Sequence, residues 1–444
     1  TNSSNKTKLV KILKNKNLVI EIPLLKSLSK DYQLSYSKKL VSSLKKFKKI
    51  NLIGMGGSIL GTQAIYGFLN HKIKKKIKIE ILSKDLIKKY PLLLSLTDRY
   101  QYSYSKKNLS KIKNYSEINL IGMGGSILGT EAIYDFLKHK IKKKFNFFNN
   151  IQPKKFSKSV KKKLNIIVSK SGNTLETISN FNLMLQKQKK NQNIFICEKR
   201  NNFLNLLAEK LKSEVFEHKN YIGGRYSVLS EVGMLPAELM GLNEKKFKRL
   251  NYLLKNKKFI SLLIDNVSSI YHHVITGKKN SIILNYDGQS ENLFKWYQQL
   301  VAESLGKKGN GILPIISSMP KDNHSLLQLY LDGPKNNFYT FFNVREKKSP
   351  KFKMSNFFVK FKYLENKSFY QILNSQKSAT EKVFLKKKIP FRTFEVFNRT
   401  EEVLGELFCF FILETILLGN LLRINPFDQP SVELIKTETS KILN

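Results

Sequence analysis

Residues 164–187, LNIIVSKSGNTLETISNFNLMLQK, decide the fold class. The run LNIIV reads as a strand buried on both faces, and the segment from Leu175 reads as an amphipathic helix. The turn between them holds Ser169, Ser171 and Thr174 within six residues, flanked by Lys170 and Gly172. A helix N-cap needs one hydroxyl. Three exceed that need and suit the acceptor oxygens of a phosphate lying at a helix start.

The same strand–turn–helix grammar recurs upstream. Residues 118–144, INLIGMGGSILGTEAIYDFLKHKIKKK, give a strand, the loop GMGGS and a helix. Glycines there serve tight packing or let backbone N–H groups approach an anion, with Ser126 adding a hydroxyl. The loop lacks the Lys-Ser/Thr ending of a nucleotide P-loop. Further apolar runs stand at 193–197, 281–285, 312–316 and 393–397, separated by helical patterns. Alternating strands and helices predict an α/β protein with two doubly wound, mainly parallel sheets and flanking helices. A long helical stretch at about 227–276 separates the two sheets, and the Lys-rich segment 345–367 reads as a loop or insertion. Ligands of such sheets bind beyond the carboxyl ends of the strands, which is where both loops fall.

The glycine-loop unit is present twice. Residues 50–76 match 118–144 at 24 of 27 positions, with an offset of 68; only Gln63/Glu131, Gly67/Asp135 and Asn70/Lys138 differ. A looser match joins 33–40 to 101–108. Two near-identical copies point to a tandem duplication or an assembly artefact, not a solenoid. One place in a sheet takes one copy. The first copy, or the 77–117 stretch between the copies, is therefore expected to pack peripherally.

The chain of 444 residues is long enough for two or three domains, and its 41% hydrophobic content excludes a disordered tail protein. The net charge of +46 is spread along the chain as Lys, so it reads as a compositional bias that attracts anions and not as one nucleic-acid face. Two cysteines, Cys197 and Cys409, are too few for a disulfide framework, and the His residues form no metal-ligand spacing. A reducing cytoplasm is expected, and the first twenty residues carry no apolar leader region. The apolar stretch 403–422 is long enough to span a bilayer. It carries Glu406, Glu414 and Asn420, and each carboxylate at the membrane centre costs about 2.5–3.5 kcal/mol. A buried core helix is the better reading.

The segment YIGGRYSVLSEVG at 221–233 adds a fixed cation, since Gly223 and Gly224 let the chain turn and aim Arg225 inward. An inward Arg can stabilise a developing oxyanion without losing its proton. With GGRYSVLS at 223–230 the sequence resembles the phosphoglucose (glucose-6-phosphate) isomerase family. The tail from Gly419 to Lys436, with FDQ, V-E and the terminal Lys in step, is similar to that family's second signature. AESLGKKGNG at 302–311 and DNHSLLQLYLDGP at 322–334 resemble its base and histidine segments, and MGGS and SKSGNT its phosphate loops. The resemblance runs from about 118 to 444.

That resemblance implies two sugar-isomerase domains of flavodoxin-like type, a cytoplasmic glycolytic and gluconeogenic enzyme, and a homodimer with shared active sites. It also implies reversible conversion of glucose 6-phosphate and fructose 6-phosphate without metal or organic cofactor. Carried over by residue, Glu303 is the base that moves a proton between C1 and C2 through a cis-enediol, and Arg225 stabilises the charge. His324, reaching the site from a second subunit, and Lys436 assist ring opening. Gly125, Ser126, Ser169, Lys170, Ser171 and Thr174 hold the phosphate, and Gln429 lies near the substrate. The implied layout is an N-terminal segment 1–117 with a non-functional first copy, sugar-isomerase domains at 118–235 and 236–423, and a C-terminal segment 424–444 that completes the site. Ser126 to Ser169 spans 43 residues, a family-like spacing, whereas Ser58 to Ser169 spans 111, so phosphate binding is assigned to the second copy. Two departures stand out: Ser431 where the family has Gly, and Asn220 where it has an acid.

The chemistry of the residues agrees with this. Proton transfer alpha to a carbonyl needs a carboxylate and an electrostatic stabiliser, and hemiacetal opening needs a donor and acceptor such as His. Taken singly, each residue has an ordinary reading: a solvated Glu, a capping His, one Lys among many. Competing readings are an isomerase that also accepts mannose 6-phosphate, a sugar-phosphate sensor without turnover, and a charge-driven nucleic-acid binder. The last lacks any recognition motif; no specific nucleic acid or membrane partner is expected.

Overall fold

The structure is a computed structural model that describes residues 49–50, 78–79, 83–151, 162–187, 191–346 and 348–443. Residues 1–82 and 83–444 form two separate compact units. In the first, β1 (Lys49–Ile50) pairs in parallel with β2 (Lys78–Ile79). The rest of the first glycine-loop copy lies outside the described residues.

Within the second unit a five-stranded sheet runs in the order β4-β3-β5-β6-β7. Its strands are β3 (Glu117–Ile121), β4 (Lys144–Phe148), β5 (Leu164–Val168), β6 (Gln192–Cys197) and β7 (Glu214–Glu217). A four-stranded sheet has the order β11-β10-β8-β9, built from β8 (Asn280–Asn285), β9 (Leu313–Ser318), β10 (Asn337–Val344) and β11 (Phe391–Val396). Every pairing in both sheets is parallel. Helices cover the sheets, so central strands are buried on both faces, and all five residues of β5 are buried.

One polar row crosses the first sheet. Asn146 Nδ2 donates to Asn119 Oδ1 at 2.9 Å, Asn119 Nδ2 to Asn165 Oδ1 at 2.8 Å, and Asn165 Nδ2 to Asn193 Oδ1 at 2.8 Å. These residues are paired in register on β4, β3, β5 and β6. Asparagine is disfavoured in strands, but here each buried amide has its partners, which removes the desolvation cost of leaving them unpaired.

The expected core helix is Glu401–Leu421. Its polar residues find partners: Glu406 accepts from Arg249 at 2.8 Å, Tyr297 donates to Glu414 at 2.9 Å, and Asn420 pairs with Tyr90. Among the described residues no helix is long and apolar enough to cross a membrane. The helical stretch at 227–276 is realised in pieces, chiefly Glu231–Leu239 and Lys257–Ile275. Gly241, with φ +86°, ends the first piece, and the Asn256 side chain caps the start of the second.

One alternative for the duplication does not hold. Residues 83–117 do not pack peripherally: Leu93, Leu96 and Ile112 are fully buried in the main core. The Tyr100 hydroxyl donates to Glu231 at 2.7 Å and the Tyr104 hydroxyl to Glu238 at 2.7 Å, which fastens this arm to the Glu231–Leu239 helix. The other alternative, concerning the first copy itself, falls on residues outside those described.

Candidate active site

The first sheet reverses its winding between β3 and β5. The chain leaves β3 towards β4 on one side and leaves β5 towards β6 on the other. Both hydroxyl-bearing loops sit at this crevice. After β5, Ser169 Oγ lies 2.8 Å from Thr174 Oγ1 and 3.5 Å from Ser171 Oγ, and it accepts from the Gly172 N–H at 3.2 Å. Gly172 has φ +71°, and a Cβ there would lie 2.0 Å from Asn202 Oδ1, so no other residue closes this turn. After β3, Ser126 ends the short 3-10 turn Gly124–Ser126, and Gly122 abuts the carbonyl of Val168 at the end of β5.

Lys170 is placed differently from its neighbours in the loop. Its ammonium donates to the Asn220 carbonyl at 2.9 Å and faces Glu198 at 3.5 Å. A cleft of about 230 Å³ lies beside it, lined by Lys89, Tyr90, Lys170, Asn220, Tyr221 and Phe427 among others. The contact uses the main chain of residue 220, so the absence of an acid there leaves it intact.

Gly125 has a reason in backbone packing. A Cβ on it would lie 2.2 Å from the carbonyl carbon of Gly224 and 2.5 Å from the Arg225 nitrogen. The phosphate-loop candidate and the Gly223–Arg225 turn therefore touch main chain to main chain. From that turn Arg225 points inward and is 2% exposed. Its Nε donates to Ser304 Oγ at 2.8 Å, and its Nη2 to the carbonyl of Pro426 at 2.7 Å and of Asp428 at 3.2 Å. Nη1 reaches both Glu303 Oε1 and Gln429 Oε1 at 2.8 Å. Tyr226 braces the same cluster, its hydroxyl 2.9 Å from Ser304 Oγ and 2.9 Å from the Pro426 carbonyl. Burial pushes its phenol above the usual range.

Glu303 is on the last turn of the helix Glu291–Leu305. One oxygen meets Arg225, and the other accepts from Gln299 Nε2 at 2.9 Å. Gln299 also borders the glycine loop, since a Cβ on Gly124 would lie 2.8 Å from its Nε2. Its Oε1 is buried with no hydrogen-bond partner. The carboxylate thus stands between a fixed cation and an amide, within a residue's reach of the glycine loop. This geometry suits a base facing a developing oxyanion.

The structure brings Gly125, Arg225, Glu303 and Gln429 into one cluster and puts Ser126 and Ser169–Thr174 at the adjoining crevice. His324 stands exposed in the 3-10 turn Lys321–His324 after β9, and Lys436 is exposed on the helix Pro430–Leu443. Among the described residues no group of three or more His, Cys, Asp or Glu is placed to hold a metal ion.

A family model described as phosphoglucose isomerase matches residues 107–444. The chain belongs to the phosphoglucose isomerase family. Among curated relatives, the glucose-6-phosphate isomerase of Methanocaldococcus jannaschii is 31% identical over 352 residues, covering 74% of this chain and 85% of the relative. That of Campylobacter jejuni is 32% identical over 356 residues, covering 74% and 85%. Among solved structures, a hypothetical protein from Thermus thermophilus superposes with a TM-score of 0.70 at 22% identity, covering 86% of this chain and 97% of that one. A glucose-6-phosphate isomerase from Chlamydia trachomatis gives 0.63 at 19% identity, covering 84% and 76%. At these identities the solved structures show the shared fold.

Sequence reasoning did not single out Gln299, Ser304 and Tyr226, which the structure places in this cluster. A signal existed for the first, because Gln299 lies four residues before Glu303 and so on the same helix face. Ser304 and Tyr226 adjoin residues already singled out, but nothing in their types announces a role.

Proposed function

We propose that this isomerase interconverts glucose 6-phosphate and fructose 6-phosphate with Glu303 as the base. The observation that carries the reading is the single guanidinium nitrogen of Arg225 that bonds both Glu303 and Gln429 at 2.8 Å, next to the glycine loop. The phosphate sits at the crevice against the hydroxyls of Ser126, Ser169, Ser171 and Thr174, with Lys170 adding positive charge from the loop and Gly125 letting the backbone come close. His324 and Lys436 pass protons to and from the ring oxygen and O1, opening the hemiacetal.

In the open-chain aldose the Glu303 carboxylate removes the proton from C2. The electron pair forms the C1–C2 double bond and moves the carbonyl pair onto O1. The resulting cis-enediolate faces Arg225, whose charge is fixed and buried, so it needs no reorganisation as the oxyanion forms. Return of the proton to C1, with passage of the hydroxyl proton from O2 to O1, gives the ketose. The unpaired Gln299 Oε1 offers an acceptor to a sugar hydroxyl.

A homodimer completes the site in this reading. His324 is exposed, and Leu434, Ile435 and Ile442 are 69%, 71% and 84% exposed on the C-terminal helix, a face suited to a second copy.

The test is a coupled assay of fructose 6-phosphate conversion without added metal, on wild type and Glu303→Gln. Turnover should fall about a thousandfold in the variant while inorganic phosphate still binds. A wild type that binds sugar phosphate without turning it over would make the sensor reading the correct one.

A further inference from the structure

The turn at 425–429 supplies three of the partners of Arg225: the Pro426 and Asp428 carbonyls and the Gln429 side chain. A second cation grips the same turn from the other side. Lys307 lies four residues after Glu303, and its side chain is 12% exposed. Its ammonium donates to Asp428 Oδ1 at 2.6 Å and to the Asn425 carbonyl. The other carboxylate oxygen of Asp428 accepts from Asn425 Nδ2 at 3.0 Å, and Asn425 Oδ1 takes the Phe427 N–H at 3.1 Å. Lys307 is itself presented by a closed turn: its N–H donates to the Asn310 carbonyl at 3.1 Å and its carbonyl accepts from Asn310 at 2.9 Å. Lys308 and Gly309 hold positive φ there, at 53° and 72°. The ammonium holds the Asp428 carboxyl below the usual carboxylate range.

We infer that Lys307 is a positioning residue for the reaction: it fastens the 425–428 turn to the turn that closes the Glu303 helix, so that Arg225 keeps one nitrogen on Glu303 and Gln429 together. The inference rests on the isomerase reading for its kinetic consequence and on the coordinates alone for its structural one. An ion pair whose carboxylate is 53% exposed contributes little to folding. Any large effect of losing it therefore comes through the geometry of the turn. A shift of about 1 Å in a catalytic group costs on the order of a hundredfold in rate.

The experiment compares Lys307→Met, Lys307→Arg, Asp428→Asn and the double variant Lys307→Met/Asp428→Asn. Lys307→Met should lower kcat about tenfold or more, with KM and inhibition by inorganic phosphate unchanged, because the phosphate loops end other strands. Lys307→Arg should recover most of that loss. The double variant should lose no more than the worse single one, since both remove the same fastening. Amide exchange at 425–429, followed without substrate, should speed up in Lys307→Met. Unchanged exchange there overturns the inference whatever the turnover. So does a kcat within twofold of wild type, or a kcat loss matched by an equal fall in KM and in melting midpoint. A wild type without turnover sinks the isomerase reading instead, and the exchange measurement still decides whether Lys307 holds the turn.

Discussion

The two sheets reverse their winding in the same way and use the resulting crevice in opposite ways. In the first sheet the carboxyl edge between β3 and β5 ends in loops of Gly, Ser and Thr, among them Ser126, Ser169, Ser171 and Thr174. In the second, the edge between β8 and β10 is closed by charge. Arg399, just beyond β11, donates to Asp287 after β8 at 3.0 Å and to Glu346 after β10 at 2.7 Å. The Ser290 hydroxyl adds a further bond to Asp287, and the Arg399 guanidinium lies 5.2 Å over the Phe136 ring. The closed edge anchors the start of the Glu291–Leu305 helix, whose far end delivers Glu303. Asn292 pins that start to Asp135 on the Leu128–Phe136 helix at 2.6 Å. In the proposed reading the first crevice takes the ligand, while its counterpart holds the Glu291–Leu305 helix in place. Substitutions at the open edge should cost function with little stability, and those at the closed edge the reverse.

The sharpest contrast comes from Glu303→Gln, with its thousandfold loss of turnover at an unfolding midpoint close to wild type. Arg399→Met should do the opposite. It leaves Asp287 charged and only 9% exposed, a defect worth about 3 kcal/mol or more in chemical denaturation. Its turnover at low temperature should stay within a few-fold of wild type; a collapse of kcat at full stability would break the comparison. If Ser126 holds the phosphate as proposed, Ser126→Ala should raise KM about tenfold, whereas Ser58→Ala should leave KM unchanged. Equal losses from the two would refute the assignment of phosphate binding to the second copy.

A pH dependence lies behind the open edge. His218, after β7, is 2% exposed, and burial pushes its imidazole down to about 4. The unfolded chain binds that proton near pH 6.5, so between pH 6.5 and about 4 it carries more protons than the native state. Stability is then full above 6.5 and declines as the pH falls towards 4. His218→Gln should flatten that slope in acid titrations of folding.

The legible parts of the sequence were those where local composition matches the final environment. LNIIV and NIFIC are mostly apolar runs, and their apolar residues are buried in strands. The central strand β10, NFYTFFNV, escaped reading although seven of its eight residues are buried. Its polar Asn and Thr residues and its Lys-rich flanks broke the continuous apolar pattern that marked the other strands. β7, EVFE, is an edge strand too short to show a period. The helical stretch before the second sheet broke where Gly241 and Asn256 stand, a positive-φ glycine and a local N-cap that the apolar periodicity around them masked. For the site, no spacing rule brings residues 225, 303 and 429 together; their resemblance to the family motifs named them. Gln299 had only its spacing to Glu303 to mark it, and Lys307 had nothing: one more lysine in a chain of net charge +46 carries no chemical signature until its partners are in place.

The asparagine row across the first sheet acts as an address. Apolar strands of similar sequence could pair in several alignments, but a shift of one residue would break these amide pairs and leave the buried Asn119 and Asn165 against hydrocarbon. The address is written at Asn119 in the sequence INLI, and INLI occurs again at 50–53 with Asn51 in the same place. The row therefore cannot tell the two copies apart. The following helix differs, where Asp135 meets Asn292 and the earlier copy has Gly67.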